Sequence, residues 1–402
     1  MPDTGGTLKK TTHKTIGHAP AALADYETAF SPNTASGGWH RGDGCFSTHG
    51  TGWSMYGFND FFVSDGAGGV NIFYRHNSVL LVDNTTGIVS WLSSGDQFPL
   101  AGAVTFPAPD ASGTFCWLLG GWATGATSAI LFAHRWTNAY ALQDYRVMQA
   151  SAFTGSSPLC GAVVTTDLSI TAAAWSGQPY VDGSHVYVYG AHFASFSHRL
   201  ARHAWSATAS DYATGWEYWT GSAWSTNPAQ IGALVIESAP LRALTVRAWE
   251  GGYLASGKVF DVGPELGIPD DWPEIRGWWS PNVTGPFEYV GVLYQPVTLT
   301  DWFSYSARVE ELPGVSGTTA LWSLNKGSKS IADHGVYGPQ LAAMTTPYVG
   351  TGQGSGVGSR AVSGSGSASL AVVGSGPGSA AGVGAGSVGH GRAGSPSGSH
   401  GE

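Results

Sequence analysis

Charge is scarce in this sequence. Only 11% of its 402 residues are Asp, Glu, Lys or Arg, against the usual quarter, which excludes a helical bundle or a coiled coil built on ion-paired faces. The little charge present is acidic, with a net charge of −9. A nucleic-acid partner is therefore not expected, because phosphate binding needs a basic footprint. Apolar runs of about 18 residues are also missing, so no membrane insertion is expected. The N-terminal stretch MPDTGGTLKKTTHKTIGHAP lacks the apolar core of a secretory leader. Cysteine is limited to Cys45, Cys116 and Cys160, too few for a disulfide framework and at no zinc spacing; they read as buried or half-buried thiols. Of the 13 histidines, His192, His198 and His203 fall close together, but their spacing fits no usual metal site. The sequence calls for no metal and no cofactor, and nothing in it supports an axial calcium.

What the sequence has is aromatics and glycine: 17 Trp and 59 Gly. Between residues 26 and 345, short apolar or aromatic runs alternate with Gly/Ser/Asn/Asp turns. WSMYGFNDFFV (53–63), SVLLVD (78–83), SAILFAHRW (128–136), HVYVYGAHF (185–193) and YVGVLYQP (289–296) are strands by their β-branched and aromatic content and by the turns that bound them. No 3.6-residue period is sustained. Approximate units at 37–92, 93–150, 151–210, 211–265 and 266–326 each hold strands and a Trp-bearing outer run. The expected fold is thus all-β, a five-bladed β-propeller over 26–345, preceded by an N-terminal arm (1–25) read as a frayed end. From 346 to 402 more than half of the residues are Gly or Ser, and from Thr351 onward none is aromatic. Such a segment buries too little apolar area to order itself, so a disordered, Gly/Ser-rich C-terminal tail is expected.

Local motifs sharpen this. WHRGDGCFS (39–47), YGFNDFFV (56–63) and RHNSVLLVD (75–83), followed by WEYWTGSAW (216–224), WWSPNVTGPFEYVGVLYQP (278–296) and LWSLNKGSKSIADHGVYGPQL (321–341), resemble in order and spacing one actinobacterial family of five-bladed propellers. Those proteins, once catalogued only as a domain of unknown function, act as endo-D-arabinofuranosidases on the arabinan of mycobacterial cell walls. The resemblance spans about 26–342 and implies a glycosidase-like propeller.

Glycoside cleavage needs two carboxyl groups across the scissile bond. Asp43 in the GDG turn and Asp60 after FN lie about one hairpin apart, and the resemblance puts the reactive pair on them. We expect Asp43 as nucleophile and Asp60 as acid/base, the more buried of a pair being the better acid; a separation of about 5–5.5 Å predicts retention. The bland alternative is that each aspartate only stabilises its turn. Asn59 stands where the family has Gly. Asn tolerates left-handed angles, but it takes room from a sugar. Arg75, His76 and Asn77 are candidate sugar-hydroxyl ligands, against a solvated loop. Trp39 and Trp279, with Trp53 and Trp122, are candidate stacking faces, against blade packing. Asp182 reads as a turn residue; Glu237 and Glu274 are reserve carboxylates.

Three functions fit: a retaining endo-D-arabinofuranosidase, a propeller that binds cell-wall polysaccharide without cutting it, and a structural minor tail protein of an actinobacteriophage carrying either activity. The Trp-rich, Lys-poor texture without a leader suits a virion tail protein acting at the host surface. Its partners would then be cell-wall polysaccharide and other phage tail proteins, in a homo-oligomer where the tail tip imposes one. The alternative is a secreted bacterial enzyme.

Overall fold

The computed structural model describes residues 6–7, 9–35, 38–67, 69–74, 77–93, 114–137, 139–153, 155–156, 158–192, 197–236, 244–258, 274–294, 302–315, 318–326 and 338–344. The expected tail at 346–402 and the candidates Arg75, His76 and Glu237 lie outside them.

The fold is all-β. Among the described residues the α-helix is confined to Leu23–Ala29, and no helix is long and apolar enough to cross a membrane. Strands alternate side chains between two faces, and here both faces are apolar because each sheet is packed on both sides. The first sheet contains Lys9–Thr15, Ile88–Ser93, Ser78–Asp83, Trp53–Phe58 and Phe46–Gly50, in that spatial order. The second contains Gly6–Thr7, Leu159–Thr165, Leu142–Ser151, Ser128–Thr137 and Thr114–Gly125. The third is built on Ala174–Trp175, His185–Ala191, His198–Ala204, Glu217–Trp219 and Trp224–Ser225, with Tyr180–Val181 beside it. The fourth has Thr245–Trp249, Gly252–Lys258, Ile275–Ser280 and Glu288–Tyr294. Two three-stranded sheets follow: Trp302–Glu310, Thr318–Lys326 and Gly338–Met344, then Trp39–Gly42, Phe61–Ser64 and Val70–Tyr74.

Apolar clusters join these sheets in succession. Met55, Val79 and Leu81 of the first pack against Leu118, Leu131 and Met148 of the second. Trp122, Phe132 and Val147 meet Trp175, Val186 and Ala201 of the third. Tyr189 and Leu200 meet Val246, Ala255 and Trp278 of the fourth. Leu254 and Ile275 meet Ala307, Val309 and Met344. Tyr56, Leu80 and Trp91 return to the small Trp39 sheet and the helix residues Tyr26 and Phe30, with Leu312 and Leu341 at the margin. This is a propeller arrangement.

Two expectations need correction. The described residues give four full blades rather than five. Between the fourth and the first lie the two three-stranded sheets. The sequence unit at 37–92 does not fold as one sheet, because Trp39–Gly42 pairs with Phe61–Ser64 and leaves Phe46–Gly50 to pair with Trp53–Phe58. The later units were also out of phase: the third blade begins near Ala174 and the fourth near Thr245. The N-terminal arm is not a frayed end. Lys9–Thr15 adds an outer strand against Ile88–Ser93, and Gly6–Thr7 pairs with Leu159–Thr165. Lys10 Nζ donates to Phe153 O at 2.6 Å, tying the first two blades together.

Trp content is spent on packing: Trp39, Trp175 and Trp278 are fully buried. Trp278→Ala should therefore empty the seam between the third and fourth blades. The expected cost is about 3–5 kcal/mol, read as a lower urea midpoint with an unchanged slope.

Candidate active site

Asp43 ends the small sheet and begins the turn into Phe46–Gly50, the innermost strand of the first blade. That turn is strained by design. Gly44 has φ +81° and Cys45 has φ +52°, the left-handed region that only glycine enters freely. Asp60 sits opposite, between Trp53–Phe58 and Phe61–Ser64. The two are laced together: Asp43 N donates to Asp60 O at 2.9 Å and Asn59 N donates to Asp43 O at 2.9 Å. Asp60 N donates to Asp43 Oδ1 at 2.8 Å. Trp117 Nε1 then donates to Asp60 Oδ1 at 2.9 Å. Both expected aspartates are thus brought side by side, each with a carboxylate oxygen fixed by an N–H donor. Asp43 is 8% exposed and Asp60 is half-buried. On burial alone the acid would be Asp43, the reverse of the expected division of roles.

Asn59 does not adopt a left-handed angle. Its side chain instead lies over Gly44, where a Cβ would come within 2.9 Å of Asn59 Nδ2. The space that the family's Gly leaves open is filled, and Asn59 Oδ1 is buried without a partner.

The turn is held from beneath by residues the sequence did not single out. Arg308 Nη1 donates to Gly44 O at 2.9 Å, across 264 residues. Arg308 Nε donates to Glu310 Oε1 at 3.2 Å. Glu310 also accepts from Ser47 Oγ at 2.7 Å and from Arg247 Nη2 at 2.6 Å. Gln178 Nε2 donates to Ser47 O at 2.9 Å, and its side chain crosses Gly120, where a Cβ would meet Gln178 Cγ at 2.9 Å. Innermost strands of three sheets therefore converge on one buried carboxylate, and the Gln178 loop of the third blade holds Ser47 beside it. Burial alone pushes the Glu310 carboxyl up; the Arg247 and Arg308 guanidinium groups, His49 and the Ser47 hydroxyl outweigh it and hold it at about 2.

The other candidates divide. Asn77 is buried and spent on the second blade: its Nδ2 donates to Cys116 O and its Oδ1 accepts from Leu118 N, both at 2.8 Å. It is therefore a strand clamp and not a sugar ligand. Trp39 is fully buried and donates Nε1 to Ser78 Oγ at 2.9 Å, so it presents no stacking face. Trp279 is half-buried over Gly252 and donates to Trp249 O at 3.3 Å. Trp53 and Trp122 are core. Asp182 is the expected turn residue, accepting from Ser184 N and His185 N at 2.8 Å. Glu274 pairs with Arg276 at 2.8 Å. The ring nitrogens of His203 lie 2.6 and 2.9 Å from backbone carbonyls. Among the described residues, no group of three His, Cys, Asp or Glu is placed to hold a metal. Cys45 and Cys116 are buried free thiols.

No family model matches the chain, and no curated relative is similar to it. Solved structures are. A candidate hydrolase from Bacteroides ovatus is similar with a TM-score of 0.56 at 15% identity, over 83% of this chain and 93% of that one. The protein shares the propeller fold of that structure. A GH43 β-xylosidase/α-arabinofuranosidase from a compost metagenome, solved with xylotriose, is similar at 0.42 and 14% identity over 87% and 100% of the two chains. An exo-β-1,3-galactanase from Phanerochaete chrysosporium is similar at 0.45 and 11% over 83% and 64%. At these identities the likeness is one of fold.

Glu310→Gln tests the hub. A carboxyl held near 2, against 4.5 when unpaired, contributes stability that is fully present above about pH 4.5. That stability is lost as pH falls through about 2. Wild type should show a melting temperature that declines across this acid window. The Gln variant should be less stable at pH 7 by about 3–5 kcal/mol, because two buried guanidinium groups lose their counter-charge, and its decline should be flatter.

Proposed function

We propose that the chain recognises a neutral cell-wall glycan and hydrolyses it with Asp43 and Asp60. The observation that carries this reading is the Asp43–Asp60 lacing. Two aspartates from neighbouring turns are tied to each other, a carboxylate oxygen of each held by an N–H donor and the Asp43 turn backed by a buried arginine. A turn-stabilising role alone would account for Asp43 Oδ1 on Asp60 N, but not for an indole from the next blade on Asp60 Oδ1. The solved neighbours, glycosidases among them, support a carbohydrate substrate. The motif order in 39–83 and 278–341 supports D-arabinan as that substrate. Asp43, its Oδ1 held on the Asp60 amide, acts as nucleophile, and Asp60, the more open of the two to solvent and so the one that can exchange its proton with water, acts as acid/base in a retaining cleavage, against the division that burial alone would give.

Carriage on a phage tail rests on less, namely the Gly/Ser-rich 346–402 segment as a tether. Mass spectrometry of purified virions is its test, and absence of the chain from them would rule it out.

The enzyme reading is tested with arabinogalactan and with an aryl arabinofuranoside. Wild type should release oligosaccharides. Asp43→Asn should lose at least about 10³-fold on both substrates. Asp60→Asn should fail on arabinan yet keep much of its first step on the aryl glycoside, whose leaving group needs no proton. If both variants match wild type on both substrates, the assignment is wrong. Binding without release leaves a lectin-like propeller.

A further inference from the structure

Beside Asp60 runs an aromatic ladder that the packing of the blades does not consume. Phe115 and Trp117 lie on Thr114–Gly125, and His134 and Trp136 lie on Ser128–Thr137. The register pairs Phe115 with Trp136 and Trp117 with His134, so all four side chains share one face. Further along that face Leu119 and Phe132 are buried in the core against the third blade. Towards Asp60 the face emerges in part: Phe115 is buried, but Trp117 and Trp136 are only half-buried, and Tyr140 in the following turn is 47% exposed. The rings are contiguous. Trp117 lies 5.9 Å from Trp136, 6.1 Å from Tyr140 and 5.0 Å from Phe115, centre to centre.

We infer that this ladder is a glycan subsite, holding the sugar residue next to the one cleaved between Asp43 and Asp60. The inference rests on the function proposed above and gives it a direction along the second blade. Trp117 belongs to both parts, since its ring joins the ladder and its N–H holds Asp60. A sugar ring has an apolar C–H face and a rim of hydroxyls, so it matches aromatic faces set beside carboxylates. Trp136 Nε1 and His134 Nε2 are buried without hydrogen-bond partners. Hydroxyls that reach them by a small shift of the rings would satisfy both, whereas an apolar protein partner would leave both unsatisfied. The ladder also carries no cation. Burial pushes the His134 imidazole down to about 3, and Arg135, on the opposite face of its strand, is taken up by Asp144. A neutral glycan therefore fits better than an anionic one.

The test uses linear arabino-, xylo- and galacto-oligosaccharides of two to six residues. Affinity is measured by calorimetry in the Asp43→Asn chain, which does not turn the ligand over. Affinity should rise with chain length until the ladder is filled. Trp136→Ala and Tyr140→Ala should each cost about tenfold, with most of the length dependence lost. Trp136→Phe and Tyr140→Phe, which keep a ring face, should restore much of it, and melting curves exclude unfolding as the cause. In the active chain the same alanine variants should raise KM for long substrates more than they lower kcat. If the Ala variants bind the length series as the parent does, the ladder is not a subsite even though the function stands. If the folded wild-type chain neither binds nor cleaves any of these glycans, the function fails and the subsite with it.

Discussion

One buried carboxylate organises this molecule. Glu310 is 1% exposed and takes Arg308, Arg247 and Ser47, side chains from three different sheets. Ion pairs this deep are poor sources of net stability, because taking the charges out of water costs about as much as their attraction returns. The hub is not even fully satisfied: Arg308 Nη2, Arg247 Nε and Gln178 Oε1 are buried without partners. Its value lies in registry. Apolar seams between blades tolerate sliding, but a guanidinium that must meet both Glu310 and Gly44 O permits one arrangement. That arrangement reaches Asp43 directly, since Gly44 O is the carbonyl immediately after it and the turn holds Cys45 at a left-handed angle that costs energy to maintain.

How far the sequence revealed this can be argued residue by residue. The strands were legible because turn chemistry and β-branched runs are local signals. That Asp43 and Asp60 lie together was legible because a GDG turn and a strand-end aspartate are local too, and the hairpin between them is short. Glu310 and Arg308 were not. RVEE at the end of a strand reads like any exposed edge, and the contact with Gly44 spans 264 residues. Asn77 misled for the opposite reason. An asparagine beside Arg and His reads as a polar ligand, yet both ends of its amide replace backbone pairing across a blade seam. The blade count failed on pairing. A period in sequence cannot tell that Trp39–Gly42 leaves Phe46–Gly50 for a different sheet.

The tryptophans make the same point about context. Trp39 and Trp279 were expected to offer faces to a sugar; Trp39 is fully buried, whereas Trp279 is half-buried over Gly252. Trp117 and Trp136, in runs that read simply as strands, are half-exposed too. Nothing in composition separates the two kinds. What separates them is how far a strand extends past its neighbour: Leu119 and Phe132 meet the third blade, whereas Trp117 and Trp136 on the same face are less covered. A long inner hairpin, 12 residues paired with 10, is the property that lifts aromatic side chains out of the core.

Asn59 stands where the family that the sequence resembles has Gly, and its contacts show what it does there. A glycine there would leave Gly44 uncovered and the turn held by Arg308 alone. Asn59 donates its N–H to Asp43 O and lays its side chain over Gly44, so it braces the same turn from the opposite side. On the function proposed above, a substrate would then come from the other flank, where Trp117 holds Asp60 and the aromatic ladder begins. Closure on one side and aromatic surface on the other are thus two consequences of one exchange: Asn59 adds rigidity at Gly44 and leaves the second blade to provide the room.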